Sequence, residues 1–261
     1  MRGALPPSHR TRNRRVAILR AWKTRWIIGS LPPMSPAHEA GFVVAIDGPA
    51  GAGKSTVARS LARRLGYTFL DTGALYRTVA LAAQERGIPR NDVQALGRLA
   101  RSITIGFLRQ GDQVRVLADG RDVTDAIRTP EISEGASQVS AVSEVRAGLL
   151  EAQRKVAATA NVVAEGRDVG TVVFPSAQAK FFLVASPETR ATRRMLELQG
   201  RGQPAVLVDV AAEMRVRDER DSGRAIAPLR RADDALEIDT SNLTPEEVVE
   251  RMAKVVRERG G

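Results

Sequence analysis

The 261-residue sequence contains no cysteine. Disulfides and thiolate-bound metal centres are therefore excluded, which fits a reducing compartment such as the cytoplasm. No apolar stretch approaches the ~20 residues that a membrane-spanning helix requires. The Asn-Lys-x-Asp signature of GTPases is absent. Lysine is scarce as well, because 35 of the 40 basic residues are arginine. A surplus of positive charge also disappears once the ends are separated. The first 33 residues carry eight Arg or Lys and no acid, which leaves only +2 of the formal +10 for residues 34–261. A body so nearly neutral does not imply a nucleic-acid partner, and no membrane surface is called for.

The first 40 residues differ in composition from the rest. They hold both tryptophans, Trp22 and Trp26, and the breaker run Ser30-Leu-Pro-Pro33. Three readings compete: a basic arm touching membranes or polyanions, a targeting peptide, or an over-long start with Met34 as the true first residue. The apolar run Val16-Ala-Ile-Leu19 is cut short by Arg20, which is wrong for a secretory signal. In each reading residues 1–40 are a disordered extension, and the domain proper occupies residues 41–259.

Within that domain, strand-like runs alternate with helical patterns. Strands are expected at residues 42–46, 67–71, 161–164, 180–185 and 236–239. Helices are expected at residues 55–65, 74–86, 143–158, 187–199 and, behind the cap Thr244, 245–258. This alternation predicts an α/β fold with a parallel sheet flanked by helices on both faces. One stretch breaks the rhythm. Residues 103–108, 113–117 and 121–123 are short strands separated by Gln110-Gly-Asp112 and Ala118-Asp-Gly120, which predicts a small antiparallel insert.

The most informative segment is Gly48-Pro-Ala-Gly-Ala-Gly-Lys-Ser-Thr56, which completes the G-x-x-x-x-G-K-[ST] phosphate loop. It lies between an expected strand and an expected helix, as that loop requires. Its glycines let backbone N–H groups approach phosphate oxygens, and the helix N-terminus adds positive potential. Lys54 can reach the β- and γ-phosphates of ATP, and the Ser55 hydroxyl can ligate a nucleotide-bound Mg²⁺. Gly48, Pro49, Ala50, Gly51, Ala52, Gly53, Lys54, Ser55 and Thr56 are thus the expected ATP site. A lysine at position 54 runs against the chain's own preference for arginine.

A phosphate loop gives a class and not a reaction. Three other segments bear on the second substrate. Asp71-Thr-Gly-Ala-Leu-Tyr-Arg77 could bind a sugar and a phosphate, although taken alone an Asp or Thr cap before a helix is the more ordinary explanation. Glu165-Gly-Arg-Asp-Val-Gly170 stands at a strand's carboxyl end, where α/β sheets place ligands, but Arg167 and Asp168 also fit a surface ion pair. Arg215-Val-Arg-Asp-Glu-Arg-Asp-Ser-Gly-Arg224 fits a solvated helix face or a cationic lid, with Arg190, Arg193 and Arg194 nearby.

Taken together, Gly48–Thr56, Asp71–Arg77, Gly166–Gly170 and Arg217–Leu229 resemble the bacterial cytidylate kinases over about residues 42–256. The resemblance implies a nucleoside-monophosphate kinase fold with a five-stranded parallel sheet. It also implies a monophosphate-binding insert near residues 95–140 and an arginine-rich helical lid near 190–227. It further implies a monomer acting on ATP with CMP or dCMP. Carried over by position, Lys54, Arg167 and Arg217 are the expected catalytic cations, and Arg193 joins the ATP site. Arg77, Arg167 and Arg217 are expected on the CMP phosphate. Ser137, Arg146 and Asp168 are expected at the cytosine edge, Thr72 and Asp221 at the sugar, and Arg224 near either. Thr72 stands where some members have Ser, which bears on ribose against deoxyribose. The segment before Met34 has no counterpart in the family pattern. A kinase for UMP, AMP or another small acceptor, and a nucleotide-gated RNA-binding protein, are the alternatives.

Overall fold

In a computed structural model, which describes residues 25–28, 41–110 and 113–261, strands and helices alternate along the chain. The first half runs β1 (Arg25–Ile28), β2 (Val43–Asp47), α1 (Lys54–Leu65), β3 (Thr68–Asp71), α2 (Thr72–Glu85) and α3 (Val93–Ser102). An insert follows with β4 (Ile105–Gln110), β5 (Gln113–Ala118), β6 (Arg121–Asp122) and α4 (Pro130–Val139). The remainder is α5 (Ser143–Ala157), β7 (Val162–Glu165), β8 (Ala179–Val184), α6 (Pro187–Gln199), α7 (Leu207–Gly223), β9 (Leu236–Asp239) and α8 (Pro245–Glu258).

Five strands form one sheet in the order β3-β7-β2-β8-β9, every pairing parallel. Strand β2 shows why its sequence reads as an unbroken apolar run. Val43 and Ala45 enter one core with Leu75 and Val79 of α2 and Leu149 of α5. Val44 and Ile46 enter the opposite core with Val57 and Leu61 of α1 and Met252 of α8. A strand covered on both faces cannot carry a polar alternate, so the usual alternation is lost. The chain leaves β2 toward β3 on one side, while β8 pairs on the other side. That reversal opens a crevice at the carboxyl ends of the strands.

The insert is the expected antiparallel unit. Residues of β4 face β5 from Ile105↔Ala118 to Gln110↔Gln113, and β5 turns into β6 through Asp119 and Gly120, both at positive φ (47° and 82°). Two positive φ values in a two-residue turn match the twist of the flanking strands. The other expected turn, at Gly111-Asp112, lies outside the described residues. Two helices of this region, α3 and α4, are not among the elements expected from the sequence. Asp92 caps the first, accepting from Ala95 N at 2.9 Å, and Thr129 caps the second, accepting from Ile132 N at 3.2 Å.

The N-terminal expectation differs at one place. Arg25–Ile28 forms an edge strand on β4, antiparallel, from Arg25↔Leu108 to Ile28↔Ile105. An exposed strand edge is a row of unpaired N–H and C=O groups that another segment can satisfy. The rest of the expected extension lies outside the described residues. At the other end, α6 and α7 pack through Ala191, Leu198, Val210 and Met214 and overhang the crevice. Arg220 of α7 reaches Glu134 of α4 at 2.7 Å, so lid and insert meet across it.

Candidate active site

The phosphate loop bridges β2 and α1. Gly48 takes φ +146°, and a Cβ there would stand 2.1 Å from the Leu183 carbonyl oxygen, so only glycine fits. Gly53, at φ +84°, turns the chain into α1. The Lys54 side chain is buried and its Nζ donates to Pro49 O at 2.6 Å. Burial, with Arg167 close by, pulls its ammonium down to about 7, while Glu165 opposes the shift. A cavity of about 430 Å³ opens beside the loop, lined by Gly51 to Val57 and by Arg193, Thr240, Leu243 and Val248. Arg193 is fixed there, donating to Thr240 Oγ1 at 3.0 Å and Thr240 O at 2.6 Å.

A second cavity of about 230 Å³ adjoins the first and shares Gly51, Lys54, Ser55, Arg194 and Glu197 with it. Its wall brings together Thr72, Arg77, Ser137, Arg167, Asp168, Arg217, Asp221 and Arg224, residues spread over 153 positions of the chain. Asp71 does two things at once. Its Oδ1 accepts from Ala74 N at 2.8 Å as the helix cap, and its Oδ2 accepts from Arg77 at 2.7 Å. The capping reading and the site reading are therefore compatible. Thr72 is buried and donates to Glu165 O at 2.7 Å, which stitches the end of β3 to the end of β7.

Asp221 is the hub of this cavity. Its Oδ1 accepts from Ser137 Oγ at 3.1 Å and its Oδ2 from Arg167 Nε at 3.0 Å, with Arg217 Nε at 3.9 Å. One carboxylate thereby joins insert, core and lid. Burial pushes it up, but Arg167, Arg217 and Arg224 outweigh burial and hold it below the usual carboxylate range. Arg217 is itself drawn down to about 10 by burial and by Arg167. Arg224 donates to Ser140 Oγ at 3.1 Å and keeps one buried guanidinium nitrogen without a partner.

Arg167 and Asp168 are not a surface pair with each other. Arg167 turns to Asp221, and Asp168 turns to Arg146, in a contact where both side chains are almost wholly buried. Arg146 lies behind Asp168 instead of on the cavity wall, stacked at 5.7 Å on the Tyr76 ring and donating to Ser140 O at 3.2 Å. Burial raises the Asp168 carboxyl, and Arg146 is the largest force opposing that rise.

Several residues in or beside the site escaped the sequence reading. Glu165 is buried next to Ser55, and its Oε1 has no partner. Asp47 is buried at the end of β2 beside the loop. Arg59 and Arg128 line the second cavity, each with a buried Nε that has no acceptor. Arg59 was findable, since it follows Ser55 by four residues on a helix, and its guanidinium sits 5.4 Å over the Phe69 ring. Glu165 closes the strand before Gly166 and was findable by position. Arg128 and Asp47 gave no signal of their own.

A phosphate loop on a parallel sheet, facing an adjoining arginine-lined cavity under a helical lid, defines a phosphate-loop kinase of a small acceptor. Comparison with known proteins narrows this. The cytidylate kinase family model matches residues 44–258. The chain is 54% identical over 226 residues to a cytidylate kinase of Geobacter sulfurreducens, covering 87% of this chain and 97% of that one. It is 45% identical over 216 residues to a cytidylate kinase of Lactobacillus johnsonii, covering 83% and 94%. A crystal structure of TT1252 from Thermus thermophilus aligns with a TM-score of 0.44 at 23% identity, over 84% of this chain and 98% of that one. This chain belongs to the cytidylate kinase family.

Proposed function

We propose that the protein transfers the γ-phosphoryl group of ATP to CMP and dCMP, giving ADP with CDP or dCDP. The observation that carries the reading is the adjoining pair of cavities with Lys54 on their shared wall. An oxygen of the acceptor phosphate attacks the γ-phosphorus in line as the bond to the ADP oxygen breaks. The acceptor is already an anion, so no general base is needed. The difficulty is bringing two polyanions within ~4–6 Å, where their repulsion must be neutralised.

Arginine suits that task, since its planar fork binds phosphate bidentately and stays charged. Arg77, Arg167 and Arg217 hold the acceptor phosphate, and Lys54 with residues 48–56 and Arg193 holds ATP. Lys54, Arg167 and Arg217 stabilise the transferring group. Asp168, held by Arg146, accepts from the exocyclic amine of cytosine, which uracil lacks, and Ser137 completes the base site. Asp221 and Thr72 meet the sugar, with Arg224 beside them. The Thr72 hydroxyl gives its proton to Glu165 O, so its oxygen is left to accept from a sugar hydroxyl.

The Ser55–Glu165 pair fits Mg²⁺, because it offers a hydroxyl and a buried carboxylate oxygen that otherwise lacks a partner. When bound, the ion supplies charge neutralisation on the ATP phosphates. Among the described residues no cluster of three or more His, Cys, Asp or Glu forms a metal cage, in keeping with an ion delivered on the nucleotide. The reading includes a cytoplasmic monomer working on free nucleotides. The lack of cysteine fits a reducing compartment, the near-neutral body fits free nucleotides over nucleic acid, and no described helix is long and apolar enough to cross a membrane.

The test is a coupled ADP-release assay with CMP, dCMP, UMP and AMP as acceptors. Turnover of both cytosine nucleotides well above the other two is expected. Equal rates with UMP or AMP would refute the assignment.

A further inference from the structure

Asp47 lies outside both cavity walls and takes no part in the mechanism above, yet it is 4% exposed. Its two carboxylate oxygens accept from Val169 N at 2.8 Å and Gly170 N at 2.7 Å. Those donors open the single wide helical turn Val169–Val173 and, as first-turn groups, have no partner within it. The residues just before them are Arg167 and Asp168, on the wall of the acceptor cavity. The residue just after Asp47 is Gly48, where the phosphate loop begins.

Gly166 N donates to Ile46 O at 2.9 Å, so the segment is also pinned to β2 immediately before the two wall residues. Arg167 and Asp168 are thus the only two residues between a backbone anchor and a carboxylate clamp. The clamp is closely fitted, since a Cβ on Gly170 would stand 3.3 Å from Asp47 Oδ2 and 3.2 Å from Lys180 Cδ. Burial pushes the Asp47 carboxyl up to about 7 against the pull of these two N–H groups, with Asp168 adding to the rise and Lys54 opposing it.

We propose that Asp47 is a positioning residue that fixes the acceptor-binding pair Arg167 and Asp168 relative to the phosphate loop, so that donor and acceptor sites keep one register. The proposal deepens the kinase reading and rests on it for its kinetic consequences. A displacement of about 1 Å at reacting groups can cost roughly a hundredfold in rate.

The tests use the full chain. Asp47→Asn keeps one acceptor oxygen but turns an N–H₂ toward the second backbone N–H. Gly170→Ala leaves Asp47 intact and wedges the clamp from the other side. Both should raise KM for CMP by about tenfold or more and lower kcat, with KM for ATP within about twofold of wild type. Equal factors on both substrates, or no change in CMP kinetics, overturn the proposal. Hydrogen exchange at the Val169 and Gly170 amides in nucleotide-free protein reads the clamp without any turnover. Strong protection in wild type, lost in Asp47→Asn, is expected, and rapid exchange in wild type overturns the proposal. If Asp47→Asn does not fold, Gly170→Ala and the wild-type exchange rates decide alone. A wild type inactive on CMP would sink the kinase reading and leave the clamp to be judged by exchange.

Discussion

Replacing Arg146 by Met removes a buried cation while keeping a side chain of similar length. Arg146 and Asp168 are 8% and 7% exposed at their side chains, so little water reaches the carboxylate from the cavity. Removing one partner of a buried ion pair costs about 3–5 kcal/mol, because the charge left behind is uncompensated. Arg146 also loses its donation to Ser140 O, and Tyr76 loses its stacked guanidinium. For a domain of this size about 3 kcal/mol lowers Tm by roughly 6–12 °C.

The deficit has a pH signature. Asp168 is already raised above its ordinary value by burial, with Arg146 as the largest opposing influence. Without Arg146 it rises further, and protonation relieves the stranded charge. A raised carboxyl favours the folded state at low pH, and that advantage is lost as pH climbs through the folded pKa. The Tm loss should therefore grow as pH is raised. Scanning calorimetry across a pH series, with KM for CMP and ATP measured alongside, checks the reasoning. A loss under about 1 kcal/mol, a loss that does not grow with pH, or an unchanged KM for CMP would refute it.

Other outcomes follow from the same geometry. Lys54→Ala should cut turnover by several orders of magnitude while near-wild-type unfolding is kept; turnover close to normal would remove Lys54 from the mechanism. Asp168→Ala should raise KM for CMP far more than KM for ATP, and equal losses would defeat its role in reading cytosine. Because Lys54 is drawn down to about 7, the empty protein holds it largely neutral at pH 8, and incoming phosphates restore its charge. ATP binding at pH 8 should then take up a proton, seen as a calorimetric heat that varies with buffer ionisation enthalpy. The uptake should fade at pH 6, where the ammonium is already present, and a buffer-independent heat at pH 8 would contradict it.

The legible parts of the fold were those with local causes. Val43–Asp47 and Val162–Glu165 are largely apolar, β-branched runs and Ala179–Val184 is carried by Phe181, Phe182 and Leu183, all in a sheet covered on both faces, and each fell within about a residue of its expected place. The Asp119-Gly120 turn was readable from its composition. Helices α3 and α4 went unread for different reasons: Leu96, Leu99 and Ala100 of the first recur at helical spacing behind the cap Asp92 and were a signal missed, whereas Gly135 and polar residues dilute the period of the second and burial of Ile132 and Val139 decides it. The strand at Arg25–Ile28 depends on an edge offered by β4, some eighty residues later.

At the site, the phosphate loop was complete in nine consecutive residues, because backbone N–H groups and a helix end make such a cradle without distant help. The chain alone was therefore enough for the nucleotide-binding class, the parallel sheet and, through the resemblance of four motifs to the bacterial cytidylate kinases, the family. It left open whether Asp71–Arg77 was only a capped helix start and whether Arg167 and Asp168 paired with each other. Folding decided the second, since Asp221 and Arg146 arrive from other elements, and it has Asp71 cap the helix while holding Arg77. The clamp of Asp47 on residues more than a hundred positions away was likewise invisible in the chain. A buried carboxylate is defined by whichever donors the tertiary structure brings within 3 Å of it, and no local pattern encodes that.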